Sequence, residues 1–237
     1  MNATAERLPE LLRHYLAIAF SVLVSAAAID AHAAQTGFPG LEIFTHEDQA
    51  GIASDAAGLR FEGSITRPLA DALERLLIVD GKPKYKRLLL ELNSEGGELE
   101  AVKLVAGVLK KVGSMSALST RVMDGKVCAS GCLALFMQGQ SRKASTSSVW
   151  VFHGACSANT NVPSLAATDQ FLDLLVASGV KRDFTCKLVQ EGYVISPGAF
   201  ILSGYELFHN YDTGIITELL PNWRPEEPSG MWMVVPR

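Results

Sequence analysis

The sequence has few cysteines, too little glycine and proline together for a low-complexity chain, and no excess of basic residues. Its 237 residues include 4 cysteines, 20 glycines and 10 prolines, and the formal net charge is -4. These counts exclude a miniprotein held by disulfides and a low-complexity chain. The acidic balance provides no overall basic field, so we predict no nucleic-acid partner. With 48% hydrophobic residues, the chain is predicted to form one domain with a short appendage.

Long hydrophobic runs are absent except near the N-terminus. Tyr15 to Ile29 is a run of 15 residues without a charge, with Arg7 and Arg13 before it and Ala31-His32-Ala33 after it. This order is typical of a secretory signal peptide, and the run is shorter than the roughly 20 residues of a spanning helix. We predict that residues 1–33 export the chain to the periplasm or out of the cell. The alternatives are an uncleaved anchor, which would associate the protein with the membrane facing the periplasm, and a buried core helix.

Beyond residue 33 the sequence alternates between strand-like and helix-like segments. We predict a loose leader at 34–57, one domain at 58–220 and a C-terminal tail at 221–237. The predicted strands are Leu59–Ile65, Arg87–Leu92, Ser116–Val122 and Ser148–Phe152. One predicted helix has Pro68 in its first turn, and three others span Glu98–Val112, Ser164–Ser178 and Ser203–Tyr211. The Asn93–Gly97 segment is predicted as a turn. This alternation predicts an α/β domain with a largely parallel sheet.

All four cysteines, Cys128, Cys132, Cys156 and Cys186, follow the predicted export segment. An even number of cysteines in an exported protein indicates two disulfides, and three connectivities are open. One hypothesis pairs Cys128 with Cys132, which would lock the turn between them, and Cys156 with Cys186. Buried free thiols are the alternative. The spacing of four and the lack of a nearby histidine cluster do not fit a metal site, so we predict neither metal nor cofactor.

Three features at predicted strand ends carry chemistry. The Gly96-Gly97 turn offers backbone N–H groups that could hold an oxyanion. Ser130, followed by Gly131, stands at a turn into an apolar stretch, where a nucleophile would be exposed. His153 directly follows a core strand and could serve as a general base. Taken singly, each has an ordinary explanation: a simple turn, a helix N-cap and a structural histidine.

The order and spacing of these segments resemble a known family. Leu92–Gly97, Ala129–Gly131 and Val151–His153, with Leu202–Gly214 further on, look like the proteolytic subunit of Clp-type proteases over roughly residues 58 to 220. The cysteines on each side of Ser130 make the resemblance closest to exported, Clp-like bacterial proteins. The resemblance implies a ClpP/crotonase-like spiral of β-β-α units. It also implies a Ser130 nucleophile, a His153 base and an oxyanion hole formed by Gly96, Gly97 and Gly131.

Two positions depart from the family pattern. Glu95 stands where the family has proline in the Gly-Gly turn, and Ala199 stands where the acid that orients the histidine is expected. Asp183 and Asp212 are the only acids expected to lie close to His153, and neither matches the motif. The sequence therefore predicts a Ser-His dyad or an atypical triad.

The leading hypothesis is an exported serine hydrolase, most simply a peptidase acting on a peptide or protein substrate. A catalytically inactive binding protein on the same fold is the main alternative, since fold alone does not guarantee function. An acyl-CoA enzyme of the crotonase type is a third reading. A homo-oligomer is compatible with the resemblance, although the stretch after His153 is shorter than the part that forms rings in the family.

Overall fold

The computed structural model of the chain describes residues 36–44, 55–156, 164–196 and 198–221. The predicted export or anchor segment, residues 1–33, lies outside these ranges, as does the tail beyond residue 221. Within the described ranges, no helix combines the length and the apolarity needed to cross a bilayer.

The secondary structure alternates along the chain as the hydrophobic pattern predicts. The strands are β1 Leu41–Phe44, β2 Ala56–Ile65, β3 Ile78–Val79, β4 Lys82–Pro83, β5 Arg87–Gly97, β6 Ala117–Val122, β7 Val127–Ala129, β8 Ser141–Ser145, β9 Val149–Phe152, β10 Phe200–Ser203 and β11 Glu218–Leu220. The fully described helices are α1 Arg67–Leu77, α2 Leu99–Gly113, α3 Cys132–Phe136, α4 Leu165–Ala177, α5 Arg182–Gln190 and α6 Gly204–His209.

One nine-stranded sheet organises the fold, and β5 is its shared central strand. Six of its strands follow the order β9-β7-β5-β6-β8-β11, with β10 beside β9 and with β2 and β1 branching from β5. The described pairings in this sheet are parallel except at the edges, where β1 and β10 pair antiparallel. In each of the units β6-β7-α3 and β8-β9-α4, the first strand lies on one side of β5 and the second strand lies on the other side. The predicted α/β class with largely parallel β-β-α units is confirmed.

Several elements differ from the sequence-based prediction. The Asn93–Gly97 segment is the end of β5 rather than a turn, because Ser94 pairs with Cys128 of β7 while Gly96 and Gly97 pair with β2. The predicted loose leader contains β1, whose Leu41 is fully buried. Sequence reasoning also missed β8, β10, β11 and α5, which are short or largely polar.

The core lies between the sheet and the helices that cover one face of it. The predicted apolar face of α1 is buried at Leu69, Leu73 and Leu77. Trp150 of β9 is fully buried, and its indole N–H donates to the Ser148 hydroxyl at 2.9 Å. Since a buried indole donor needs a partner, this bond allows the largest side chain to sit in the core.

The short helix α6 begins with a reciprocal cap. The Ser203 hydroxyl accepts from the Glu206 backbone N–H at 3.2 Å, and the Ser203 N–H donates to the Glu206 carboxylate at 2.8 Å. The backbone and hydroxyl bonds from Ser203 lower the pKa of Glu206 below its usual value. This capping box satisfies N–H groups that would otherwise lack a partner, and it defines where β10 stops.

Arg142 fastens the C-terminal part of the domain to β8. Its guanidinium donates to the carbonyl oxygens of Ile215 at 2.7 Å, Gly214 at 2.9 Å and Gly139 at 2.9 Å. Burial lowers the pKa of this guanidinium. The contacts to Gly214 and Ile215 join segments more than seventy positions apart, and they hold the chain just before β11, which pairs with β8.

The opposite face of the sheet carries a buried ion network across β2, β5 and β6. Glu91 is only 6% exposed, and it accepts from Arg60 Nε at 3.0 Å and Arg121 Nε at 2.9 Å. Burial alone would lower the pKa of Arg60, but the hydrogen bond and charge of Glu91 raise it. A buried carboxylate is tolerated here because two cations pair with it.

Replacing Glu91 by alanine is expected to lower the free energy of unfolding by about 3 kcal/mol, because removing one member of a buried ion pair leaves the other charges uncompensated. Glu74→Ala is the matched control. Glu74 lies 3.6 Å from Lys111 in an exposed pair, where the expected loss is below about 1 kcal/mol. Urea denaturation of both variants measures the difference, and equal losses would contradict the importance of the network.

Candidate active site

The carboxyl ends of β5, β7 and β9 lie side by side in the sheet. Ser94 of β5 pairs with Cys128 of β7, and Ala129 of β7 pairs with Val151 of β9. The Ser130 N–H extends the β7–β9 pairing by donating to the Val151 carbonyl at 3.0 Å. Because parallel strands end at the same edge, Gly96, Ser130 and His153 follow one another across three neighbouring strand ends.

Ser130 has an unusual backbone. Its φ is +50°, and the one other non-glycine residue with positive φ in the described ranges is Asp80. Such a conformation costs about 1–3 kcal/mol and persists only where the surroundings impose it. Here it makes a sharp turn between β7 and α3, and the side chain is half-buried. This is the geometry that presents a serine hydroxyl at a strand-to-helix turn.

Two glycines make room for the Ser130 turn. A Cβ on Gly96, whose φ is +102°, would stand 2.9 Å from Ser130 Cβ and 3.0 Å from the Ala129 oxygen. A Cβ on Gly131 would stand 2.3 Å from Val102 of α2. Because real Cβ contacts are not this short, neither position accepts a side chain without displacing the turn. The Gly-Gly segment of β5 therefore lies directly against the serine.

A disulfide joins Cys128 to Cys132 and spans the Ser130 turn. Both cysteines are fully buried, so the pairing that the sequence left open is formed next to the serine. The companion pairing of Cys156 with Cys186 is wrong, because both residues are free and exposed. Cys156 Sγ lies 3.7 Å from the Gly154 oxygen at the end of β9, whereas Cys186 lies on α5 and lines the cavity between α4 and α5.

His153 is half-buried, and one of its ring nitrogens has a backbone partner. Nδ1 lies 2.8 Å from the carbonyl oxygen of Gly154. Because a carbonyl oxygen only accepts hydrogen bonds, Nδ1 must carry the proton. In the neutral ring Nε2 then holds a lone pair, which is the state that a general base requires.

No carboxylate orients His153 within the described residues. Asp212 pairs with Lys181, and Asp183 is exposed at the start of α5. Ala199, at the family's acid position, lies just before β10. Within the described ranges the ring has no second hydrogen bond, and the Ser130 hydroxyl has none. The Gly154 carbonyl therefore stands where a triad has its acid.

The three glycines that the sequence predicts as oxyanion donors lie in different hydrogen-bonding environments. The Gly96 N–H donates to the Ser94 hydroxyl at 3.1 Å, and that hydroxyl donates to the Gly63 carbonyl at 2.6 Å. Gly97 pairs with Ile65 in the β2–β5 ladder. The Gly131 N–H makes no hydrogen bond within the described residues. Within the described residues, Gly131 therefore has an unbonded backbone N–H directly beside Ser130.

Ser94 is a site residue that sequence reasoning missed. It is 1% exposed and continues the buried alternation of Leu90 and Leu92 along β5. A hydroxyl at the next core position of an apolar strand was the available signal, since a buried hydroxyl needs partners. The Ser94 hydroxyl accepts from the Gly96 N–H and donates to the Gly63 carbonyl, so both bonds go to backbone beside the end of β5.

Two cavities in the described part of the chain lie away from Ser130 and His153. One of about 440 Å³ separates α4 from α5, and one of about 540 Å³ lies around the end of α6 and the following loop. Neither is lined by Ser130 or His153. Within the described ranges, no three histidine, cysteine or acidic side chains are grouped as metal ligands.

Comparison with known proteins found one kind of match. No protein-family model matches the chain, and no curated protein matches it. Among solved structures, the chain is similar to an Asn-to-Asp mutant of ClpP1 from Listeria monocytogenes. The identity is 16%, the match covers 70% of this chain and 91% of that chain, and the TM-score is 0.45.

Proposed function

We propose that the protein is a serine hydrolase that cleaves peptide or protein substrates, with Ser130 as nucleophile and His153 as general base. The observation that carries the proposal is the positive φ of Ser130, imposed in a turn directly beside β9, the strand that His153 follows. Strained backbone of this kind clusters at functional sites. A proton on His153 Nδ1 leaves Nε2 unprotonated in the neutral ring, which supports its proposed role as the base.

The proposed reaction proceeds by acyl transfer. His153 Nε2 takes the proton of the Ser130 hydroxyl as Oγ attacks the substrate carbonyl carbon. The oxyanion of the tetrahedral intermediate accepts from the Gly131 N–H. The imidazolium then protonates the leaving amine, the carbon–nitrogen bond breaks, and an ester to Ser130 remains. His153 next takes a proton from water as the water oxygen attacks the ester carbonyl carbon. The imidazolium then returns that proton to Ser130 Oγ as the ester C–O bond breaks, which releases the acid and free Ser130.

The disulfide beside Ser130 supports a proposal about the compartment in which the protein works. A disulfide between Cys128 and Cys132 is favoured in an oxidising compartment such as the periplasm or the extracellular space. This bond supports export, which the N-terminal segment suggested on independent grounds. We therefore propose that the hydrolase works outside the cytoplasm.

Labelling with a fluorophosphonate probe, which phosphonylates activated serines with loss of fluoride, tests the assignment. We expect Ser130→Ala to abolish labelling and His153→Ala to slow it strongly, since a serine without a base is a weak nucleophile. Ser114→Ala is the control, because Ser114 is an exposed residue at the end of α2. Undiminished labelling of the Ser130→Ala chain would refute the nucleophile assignment.

An inactive binding protein is the second candidate. It is favoured by the lack of a hydrogen bond between Ser130 and His153 within the described residues. Such bonds are often long in unliganded enzymes and tighten around the substrate. A folded wild-type chain that the probe does not label would favour this candidate.

A further inference from the structure

The peptide unit between Gly154 and Ala155 connects His153 to helix α4. Its carbonyl oxygen lies 2.8 Å from His153 Nδ1, and its N–H donates to Thr168 Oγ1 at 3.0 Å. A trans peptide is planar, and its C=O and N–H point in opposite directions. Fixing the N–H at one end therefore aims the carbonyl at the other.

The anchor of this peptide is rigid. Thr168 is 1% exposed and lies in the first turns of α4. Ala155 is held a second time, because its carbonyl accepts from the Ser164 N–H at 2.7 Å. Ser164 is the N-cap of α4, and its side chain accepts from the Ala167 N–H. Both polar groups of Ala155 are thus tied to the start of one helix, which leaves the peptide plane little freedom to rotate.

We propose that the Gly154–Ala155 peptide acts in place of the triad acid and that Thr168 is a positioning residue for His153. The carbonyl selects the tautomer with the proton on Nδ1, because the opposite tautomer would set a ring lone pair against the carbonyl oxygen. Thr168 holds the peptide so that this selection is made. The kinetic part of this proposal rests on the proposed hydrolase function, and the structural part does not.

Cys156 is a minor contributor to the same oxygen. Its thiol lies 3.7 Å from the Gly154 carbonyl, and a thiol is a weak donor. The carbonyl keeps a lone pair for each contact, so the thiol does not displace the imidazole. The strong constraint on the peptide is the hydroxyl of Thr168.

The tautomer of His153 tests the proposal without any activity. Nitrogen-15 NMR of the full chain at a pH where the ring is neutral, with the signals assigned through a His153→Gln variant, distinguishes the two neutral forms. We expect the proton on Nδ1 in the wild type and in Thr168→Ser, which keeps Oγ. In Thr168→Val, which keeps the branched shape but loses the acceptor, we expect mixed tautomers.

Kinetics supply the second readout. Thr168→Val is expected to lower kcat for ester hydrolysis about tenfold with little change in KM, since a displaced catalytic group affects the chemical step. Thr168→Ser is expected to restore the rate. Thermal unfolding of both variants checks that each is folded under the assay conditions.

The outcomes separate this proposal from the proposed function. A proton on Nε2 in the wild type overturns the proposal, even if Thr168→Val does not fold. A folded Thr168→Val chain with an unchanged tautomer overturns it as well. If the tautomers change as expected but Ser130 is never labelled, the positioning role stands and the hydrolase function fails.

Discussion

Replacing Ala199 by aspartate is expected to raise the rate of fluorophosphonate labelling about a hundredfold. Strand β10 pairs antiparallel with β9, and Phe200 lies opposite Phe152. Continuing the register by one position sets Ala199 opposite His153. Residues directly opposite in such a pair have Cβ atoms about 4.5–5.5 Å apart and share a face. Ala199 is exposed, so the new carboxylate would displace no core side chain.

The gain has an electrostatic cause. A carboxylate acceptor forms a hydrogen bond roughly twice as strong as a neutral carbonyl does, so aspartate would compete well with the Gly154 carbonyl for the His153 Nδ1 proton. It would also stabilise the imidazolium that forms as Ser130 is acylated. Losing the orienting acid costs about 10⁴ in a serine triad. Recovering half of that effect on a logarithmic scale gives the expected hundredfold.

The control for this variant is Ala199→Asn, which has nearly the same shape and no charge. We expect Asn to leave the labelling rate within a few-fold of wild type. Equal rates for the Asp and Asn variants would show that the position does not reach His153. Rates that fall in both variants would show that residue 199 serves another purpose, such as substrate access.

Removing the disulfide is expected to slow labelling of Ser130 about a hundredfold. The variant carries Cys128→Ala and Cys132→Ala together, which leaves no unpaired thiol beside the serine. Because the bond spans the turn, its loss frees Ser130 to leave its positive φ. Once the bond is lost, we expect a negative φ at Ser130 to be favoured by about 2–3 kcal/mol. At that difference, roughly one molecule in a hundred keeps the positive φ of the reactive turn.

The disulfide variant should remain folded. The bond closes a short loop, with a sequence separation of 4, so its contribution to the free energy of unfolding is only about 2 kcal/mol in the chain-entropy account. Cys186→Ala is the control, because this thiol is free and exposed on α5, and we expect wild-type labelling. If the disulfide variant and the control label at the same rate, the disulfide does not position the nucleophile.

Much of the fold could be predicted from the sequence because its core elements carry a local signal. The apolar face of α1 repeats with helical spacing, and the run that begins β5 is hydrophobic on both faces. Strand β8 has no such signal, since its sequence of Ser, Arg, Lys, Ala and Ser is mostly polar. It is a strand because β6 and β11 pair with it on either side.

The candidate site also has features that the sequence predicts and features that it does not. Ser130 and His153 stand out because each follows a strand-like segment, and the positions of residues at strand ends can be read from the chain. The link from Thr168 to Ala155 spans 13 positions and depends on how α4 packs back on the end of β9. The positive φ of Ser130 is likewise invisible in a sequence, because serine rarely adopts it and a tertiary constraint imposes it here.

The short span of the disulfide has a consequence for how the protein is produced. Cys128 and Cys132 can meet in a nearly unfolded chain, because closing so short a loop costs little entropy. The Arg142 contacts to Gly214 and Ile215 instead join positions 72 and 73 apart, so they form only after a much longer stretch of chain has been synthesised. Material made in a reducing cytosol is therefore expected to build the same sheet with a relaxed serine turn. Such a preparation would have a native circular dichroism spectrum, a mass greater by two hydrogen atoms and little reactivity of Ser130 with the fluorophosphonate probe.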